Sequence, residues 1–178
     1  RFAAEALGLT AAQKGTALHL VMQFIDFSRA ATKKGAAEEI RRLVREAVIT
    51  PQQGEAADPA RIAALFSSPL GRELLASDTL QREFKFSILV PARDYYPQAG
   101  EGEEVLLQGV VDCWFETLEG ITVVDFKTDR ITGEDLPARA ESYRSQLTAY
   151  SRALEEITGR PVVRKVLWFF RLDRAVEL

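Results

Sequence analysis

The stretch Glu104–Thr128 reads EVLLQGVVDCWFETLEGITVVDFKT. Val105 to Phe115 is dense in Val, Leu and aromatic residues, and Ile121 to Phe126 is a short apolar run, so both read as β-strands. Between them, Glu116-Thr117-Leu118-Glu119-Gly120 supplies the glycine that a hairpin turn favours. Asp112, Asp125 and Lys127 interrupt the apolar pattern. A charge in a buried strand is costly unless it is paired or holds a metal. Such a conflict between pattern and content is where function is sought.

If Glu116 pairs with Ile121 across the turn, counting back along both strands brings Asp112 opposite Asp125. Directly opposed Cβ atoms lie roughly 4.5–5.5 Å apart. Two carboxylates at that separation repel unless a cation lies between them or one takes up a proton. Asp125 and Lys127 are two residues apart and so share a face. The expected register therefore gathers two carboxylates and an ammonium on one face. A slip by one residue would send Asp112 and Asp125 to opposite faces.

The bulk numbers describe an ordinary globular chain. Its 178 residues suffice for one sizeable domain, and 47% apolar with 28% charged residues is the usual balance. Cys113 is the only cysteine, which excludes an internal disulfide framework, a Cys-rich zinc site and a four-Cys iron–sulfur cluster. It lies in an apolar strand and reads as core packing. No apolar run approaches the ~20 residues of a membrane span and no signal peptide is visible, so a cytoplasmic setting without membrane contact is the expectation. The net charge of −3 lacks the basic excess of a free-standing nucleic-acid binder. A DNA substrate would have to be held by a local basic patch or a partner. The first residue is Arg, consistent with a domain of a longer chain.

Outward from the hairpin, the N-terminal half reads as helices. Arg1–Gly15 is Ala-rich and weakly patterned, with helix expected for part of it. Gly15-Thr16 opens a helix running to about Ala31, with Leu18, Val21, Met22 and Ile25 as its apolar stripe, widened by Leu20 and Phe24. His19, the only histidine, lies on its more polar strip; it is either a half-buried surface histidine or a metal ligand. Ala36–Ile49 forms a second amphipathic helix with Ile40, Leu43, Val44 and Ala47 inward. Arg41, Arg42, Arg45, Glu38 and Glu39 are expected on a solvated face. Thr50-Pro51 ends that helix. Asp58-Pro59 and Ser68-Pro69 each start another, through Phe66 and Leu75. Leu80–Pro91 switches to period two and reads as a strand, with Glu83 on its polar side. Ala92–Gly102 is a loop.

Beyond the hairpin, Glu134–Ile157 reads as one long helix, on which Gln146 and Tyr150 are four apart and share a face. Val162–Leu172 is a last strand whose Trp168, Phe169 and Phe170 are core. Helices, strand, hairpin, long helix and strand give an α/β class: a mixed central sheet of four or five strands flanked by helices, with an N-terminal helical region.

Asp112 followed by Asp125-Phe126-Lys127 resembles the D…(D/E)-x-K core of the PD-(D/E)xK nuclease superfamily, and GVVD…VVDFKT resembles its RecB-like branch. Gly15-Thr16-Ala17-Leu18-His19 is similar to the GTxxH helix of that branch, Gln146–Tyr150 to its QxxxY motif, and Arg82-Glu83-Phe84 to its glutamate-bearing strand. The likeness is strongest to the C-terminal nuclease domains of AddA-type helicase–nucleases. Val111 replaces the proline of the superfamily's name. The resemblance implies a restriction-endonuclease-like core in one nuclease domain over residues 1–178, a piece of a longer helicase–nuclease chain. It implies catalytic roles for Asp112, Asp125, Lys127, Glu83, Gln146 and Tyr150. Mg²⁺, or Mn²⁺, would be held by His19, Asp112, Asp125 and the Phe126 carbonyl. It further implies single-stranded DNA as substrate, ATP used only by a helicase region outside this stretch, an AddB-like partner subunit, and no iron–sulfur cluster. Two other readings stand beside it: a catalytically silent DNA-guiding module on the same fold, and a structural cation site on an unrelated α/β domain.

Overall fold

The computed structural model describes residues 9–178, so the expectation of helix before Leu9 lies outside it. Its first five α-helices begin where capping residues stand. The Thr10 hydroxyl accepts from the Gln13 amide while the Gln13 side chain accepts from the Thr10 amide, closing a capping box at the start of α1 (Ala11–Phe24). Thr32 caps α2 (Lys33–Arg45). Thr50, Asp58 and Ser68, each followed by proline, cap α3 (Pro51–Ala56), α4 (Pro59–Ser67) and α5 (Pro69–Ala76).

Several helix expectations are corrected. Thr50-Pro51 does more than end a helix: it starts α3. α1 begins at Ala11, inside the stretch where part was expected to be helical, but stops at Phe24, short of Ala31. It stops because Asp26 Oδ1 accepts from both the amide and the hydroxyl of Ser28, a local turn that competes with helix. α2 ends at Arg45 rather than Ile49, and Ala47 (φ 55°) turns left-handed and exposed instead of facing inward.

The sheet is mixed and five-stranded, in the order β1 (Gln81–Pro91), β2 (Glu104–Glu116), β3 (Ile121–Lys127), β4 (Val162–Phe169), β5 (Arg174–Glu177). β1 pairs antiparallel with β2, and β2 with β3. β3 and β4 run parallel: the Ile121 amide donates to the Pro161 carbonyl at 2.8 Å, and the Phe170 amide donates to the Lys127 carbonyl at 2.9 Å. The expected long helix is two, α6 (Leu136–Glu141) and α7 (Arg144–Thr158), parted where the Ser142 hydroxyl donates back to the Arg139 carbonyl. The expected last strand stops at Phe169. The chain reverses through Asp173 (φ 50°), a residue type that tolerates this conformation, and returns as β5.

The chain divides into two compact units that alternate along the sequence. One comprises the described residues up to Asp78 with Phe126–Glu134 and Trp168–Val176; the other comprises Thr79–Asp125, Asp135–Leu167 and the last two residues. In the first, Ile25, Leu43, Ile62, Leu65, Leu70 and Leu74 are buried, and the Phe27 and Phe66 rings meet at 4.8 Å. Glu39, expected on a solvated face, is only 2% exposed there. It is retained because Arg42 reaches it at 2.7 Å, Arg29 at 3.4 Å, and the Asp26 amide donates to it at 3.1 Å. Trp168, Phe169 and Phe170 are core, as expected.

In the second unit, Val111, Cys113, Ile121, Val123, Val124, Leu147 and Leu154 are buried. α7 lies against β1 and β2, with the Tyr150 ring edge-on to Phe86 at 5.9 Å between centroids. Gly109, opposite Phe86 in the ladder, makes this approach possible. A Cβ there would come within 2.7 Å of the Phe86 ring and 3.3 Å of the Tyr150 ring.

Candidate active site

The β2–β3 ladder has the register that the hairpin arithmetic predicts, Glu116 with Ile121 through Cys113 with Val124. One step further along both strands sets Asp112 opposite Asp125. Cys113 and Val124 point into the core on the other face and are fully buried. The β1–β2 ladder adds a carboxylate. Arg82 pairs with Cys113 and Phe84 with Val111, so Glu83, the one residue between, is opposed to Asp112. Glu83, Asp112 and Asp125 thus occupy one row across three neighbouring strands.

Glu83 also carries a positive φ of 51°, an uncommon conformation for a residue with a Cβ and one that concentrates at functional positions. Counting along the hairpin could not have found this opposition, because the Ala92–Glu103 connection hides the register of β1 from the sequence.

Every residue of β3 is buried, including Asp125 at 2% and Lys127 at 9% exposure. An apolar strand that keeps two charges at such burial requires partners for them, and both have partners in the structure. Asp112 and Glu83 are half-buried.

On α7, Gln146 Nε2 donates to Tyr150 Oη at 2.7 Å. The Tyr150 phenol is pushed up to about 12, chiefly by burial; the Gln146 bond opposes this, while the negative charges of Asp125, Asp112 and Glu83 add to it. Tyr150 is therefore neutral at any ordinary pH and can donate its own proton in a hydrogen bond. Burial, with help from Asp112 and Asp125, likewise raises the Cys113 thiol well above its usual value, so this cysteine is inert packing.

His19 belongs to the first unit, half-buried on α1. In that unit α1 packs closely on the segment that follows β3. A Cβ on Gly15 would meet Thr128 Oγ1 at 2.7 Å, and Thr128 is the residue after Lys127. His19 is four residues beyond Gly15 and lies one turn along the same face of the helix. Phe126 packs its ring on Phe170 at 5.5 Å.

Among the described residues, no group of three or more His, Cys, Asp and Glu side chains is gathered as a preformed metal cage. The row of carboxylates is an oxygen-rich donor set. It suits a hard divalent cation such as Mg²⁺, which takes one or two protein carboxylates and keeps several waters. Among the described residues, no helix is long and apolar enough to cross a membrane.

Three relatives share 35–42% of their aligned residues with this chain, and each is named as an ATP-dependent helicase/nuclease subunit. That of Acetivibrio thermocellus is 42% identical over 173 residues, covering 95% of this chain and 14% of the relative. That of Moorella thermoacetica is 42% identical over 175 residues, covering 96% and 12%. That of Desulforamulus reducens is 35% identical over 182 residues, covering 100% and 14%. The chain thus spans about one seventh of the length of the curated relatives it matches. The sequence profile of the PD-(D/E)XK nuclease superfamily matches residues 2–177. A match over nearly the whole chain, on a mixed sheet with the D…DxK residues on its neighbouring inner strands β2 and β3, makes this chain a member of the PD-(D/E)XK nuclease superfamily.

Proposed function

We propose that this chain hydrolyses phosphodiester bonds of single-stranded DNA, with Mg²⁺ or Mn²⁺ as cofactor. The strand would be delivered by an ATP-driven helicase region of a longer chain during the resection of double-strand breaks, beside an AddB-like partner subunit. The observation that carries the reading is the row Glu83–Asp112–Asp125 across β1, β2 and β3, with Lys127 two residues further along β3. The relatives' names support the link to a helicase. Delivery by a tethered motor also fits a net charge of −3, because a domain presented with DNA at high local concentration has no need of tight binding of its own.

Asp112 and Asp125 supply carboxylate oxygens to the cation, Phe126 its backbone carbonyl, and His19 an imidazole nitrogen that would also accommodate Mn²⁺. The packing of Gly15 against Thr128, one helical turn from His19, supports including the histidine. When bound, the cation lowers the pKa of water and offsets charge on the phosphoryl oxygens. Lys127 orients the attacking water and stabilises the negative charge that develops on the phosphoryl oxygens. Glu83 holds a water or a second ion beside Asp112. Gln146 fixes the Tyr150 hydroxyl, whose proton is donated to the DNA backbone or to the water.

The test is cleavage of a labelled single-stranded oligonucleotide with Mg²⁺ or Mn²⁺, set beside Asp125→Ala and Lys127→Ala. Each substitution is expected to lower the rate by about 10²-fold or more. Cleavage by Asp125→Ala at the unsubstituted rate would overturn the catalytic assignment.

A further inference from the structure

The first unit contains a cleft of about 150 Å³, several times the roughly 30 Å³ that one water occupies in the liquid. Lys14 on α1, Arg130 in the segment after β3, and Arg171 in the turn after β4 line it, together with Gly15, Thr128 and Arg61. The cationic residues are not equivalent. Arg61 is engaged: Nη1 donates to the carbonyls of Phe170 at 2.7 Å and Arg171 at 2.5 Å, and the side chain lies 3.5 Å from Asp173 and 3.7 Å from Asp58. It holds the backbone that carries Arg171, which is also tied to β3 by the bond from the Phe170 amide to the Lys127 carbonyl.

Lys14, Arg130 and Arg171 are exposed, and no carboxylate among the described residues pairs with them. Several other arginines are matched to acids, as Arg42 is to Glu39 and Glu46, Arg144 to Glu141, Arg152 to Asp94 and Arg160 to Glu116, and Arg41, Arg72 and Arg93 donate to backbone carbonyls. In a chain with a net charge of −3, three cations with no carboxylate partner among the described residues line one cleft, and their summed field there favours an anion. Its wall includes Thr128, whose hydroxyl is a further hydrogen-bonding group and whose place is directly after Lys127.

We propose that this cleft holds a backbone phosphate of the single-stranded DNA, a neighbour of the one that Lys127 serves, with Lys14, Arg130 and Arg171 as its ligands. The proposal rests on the nuclease reading for the identity of the strand. The cleft would set the register of the strand beyond the cut, giving an acidic chain one local grip on its substrate.

The test is binding, measured without divalent ions so that no cleavage intervenes. Fluorescence anisotropy of a short single-stranded oligonucleotide is followed as a function of salt. Each phosphate neutralised on a single strand contributes about 0.7 to the slope of log K against log salt. The triple variant Lys14→Gln/Arg130→Gln/Arg171→Gln is expected to lose about 0.7 from that slope, the share of one phosphate, and at least about tenfold in affinity at low salt. The charge-conserving triple Lys14→Arg/Arg130→Lys/Arg171→Lys is expected to keep the slope. Arg130→Gln alone, a change on an exposed loop, is expected to lower the low-salt affinity and part of that slope, and gives the answer if the triple variant fails to fold. A slope equal to that of the unsubstituted chain in a folded neutral variant overturns the proposal. An unsubstituted chain that shows the cation-dependent slope but cleaves nothing with Mg²⁺ supports the cleft and overturns the catalytic reading instead.

Discussion

Gly109→Ala tests how the QxxxY helix is seated on the sheet. The new methyl carbon would lie 2.7 Å from Phe86 Cζ, 2.8 Å from Phe86 Cε1 and 3.3 Å from Tyr150 Cε1. The first two separations are far inside the roughly 3.5–4.0 Å optimum for carbon pairs, so a ring must move. Phe86 is buried and meets Tyr150 edge to face, so it cannot shift without disturbing the tyrosine. Overpacking of this kind costs about 1–3 kcal/mol, against which alanine recovers roughly 0.5–1 kcal/mol of the entropy a strand glycine forfeits. The net expectation is a loss of about 1–2 kcal/mol. At about 2–4 °C per kcal/mol for a chain of this size, the melting temperature should fall by about 2–8 °C. Thermal unfolding followed by circular dichroism reads this directly. The double variant Gly109→Ala/Phe86→Leu removes the ring the methyl strikes. It should be more stable than the two single losses combined predict, by at least about 0.5 kcal/mol. A Gly109→Ala chain that melts with the unsubstituted one, or a double variant with purely additive losses, would refute the packing argument.

The Tyr150 phenol, pushed up to about 12 chiefly by burial, titrates late for a tyrosine. Its folded pKa is raised above the unfolded value of about 10, so its contribution to stability is fully present below pH 10 and is lost as pH rises from there toward 12. Absorbance at the tyrosinate band should show a late-titrating component that vanishes in Tyr150→Phe. Glu39 behaves in the opposite sense, since Arg42 beside it holds its carboxyl below the usual range. Its contribution is present above the ordinary glutamate pKa and is lost as pH falls below it. Glu39→Gln is expected to cost about 1.5–3 kcal/mol at pH 7 in chemical denaturation, the range for hydrogen bonds to a charged group, and to flatten the acid limb of the stability profile.

The residues that were legible in the sequence are those whose partners are fixed by counting along the chain. Thr117 to Gly120 sets the turn, the turn sets the register, and the register opposes Asp112 to Asp125. Asp58-Pro59 and Ser68-Pro69 carry their caps with them. What stayed hidden depends on segments that meet only in three dimensions. Glu39 looks like one more surface acid until α2 brings it beneath the Asp26 amide with Arg42 beside it. β5 is four residues long with charged ends, and it owes its existence to the ladder beside β4, where Arg164 meets Glu177 at 3.1 Å. Lys14, Arg130 and Arg171 come from three distant stretches, and no periodicity relates them. The break between α6 and α7 turns on a single Ser142 hydroxyl, too local a cue to outweigh a helical pattern.

The complete burial of β3 has a consequence for how the enzyme fails. Amides in a central strand shielded on every side exchange with solvent only in the largest opening events, whereas loops and chain ends open at little cost. Asp125 and Lys127 therefore sit in the part of the molecule that lets go last. Hydrogen exchange in Asp125–Lys127 should follow global unfolding, and any activity lost ahead of it should come from loosening of α1 or α7, which carry His19, Gln146 and Tyr150.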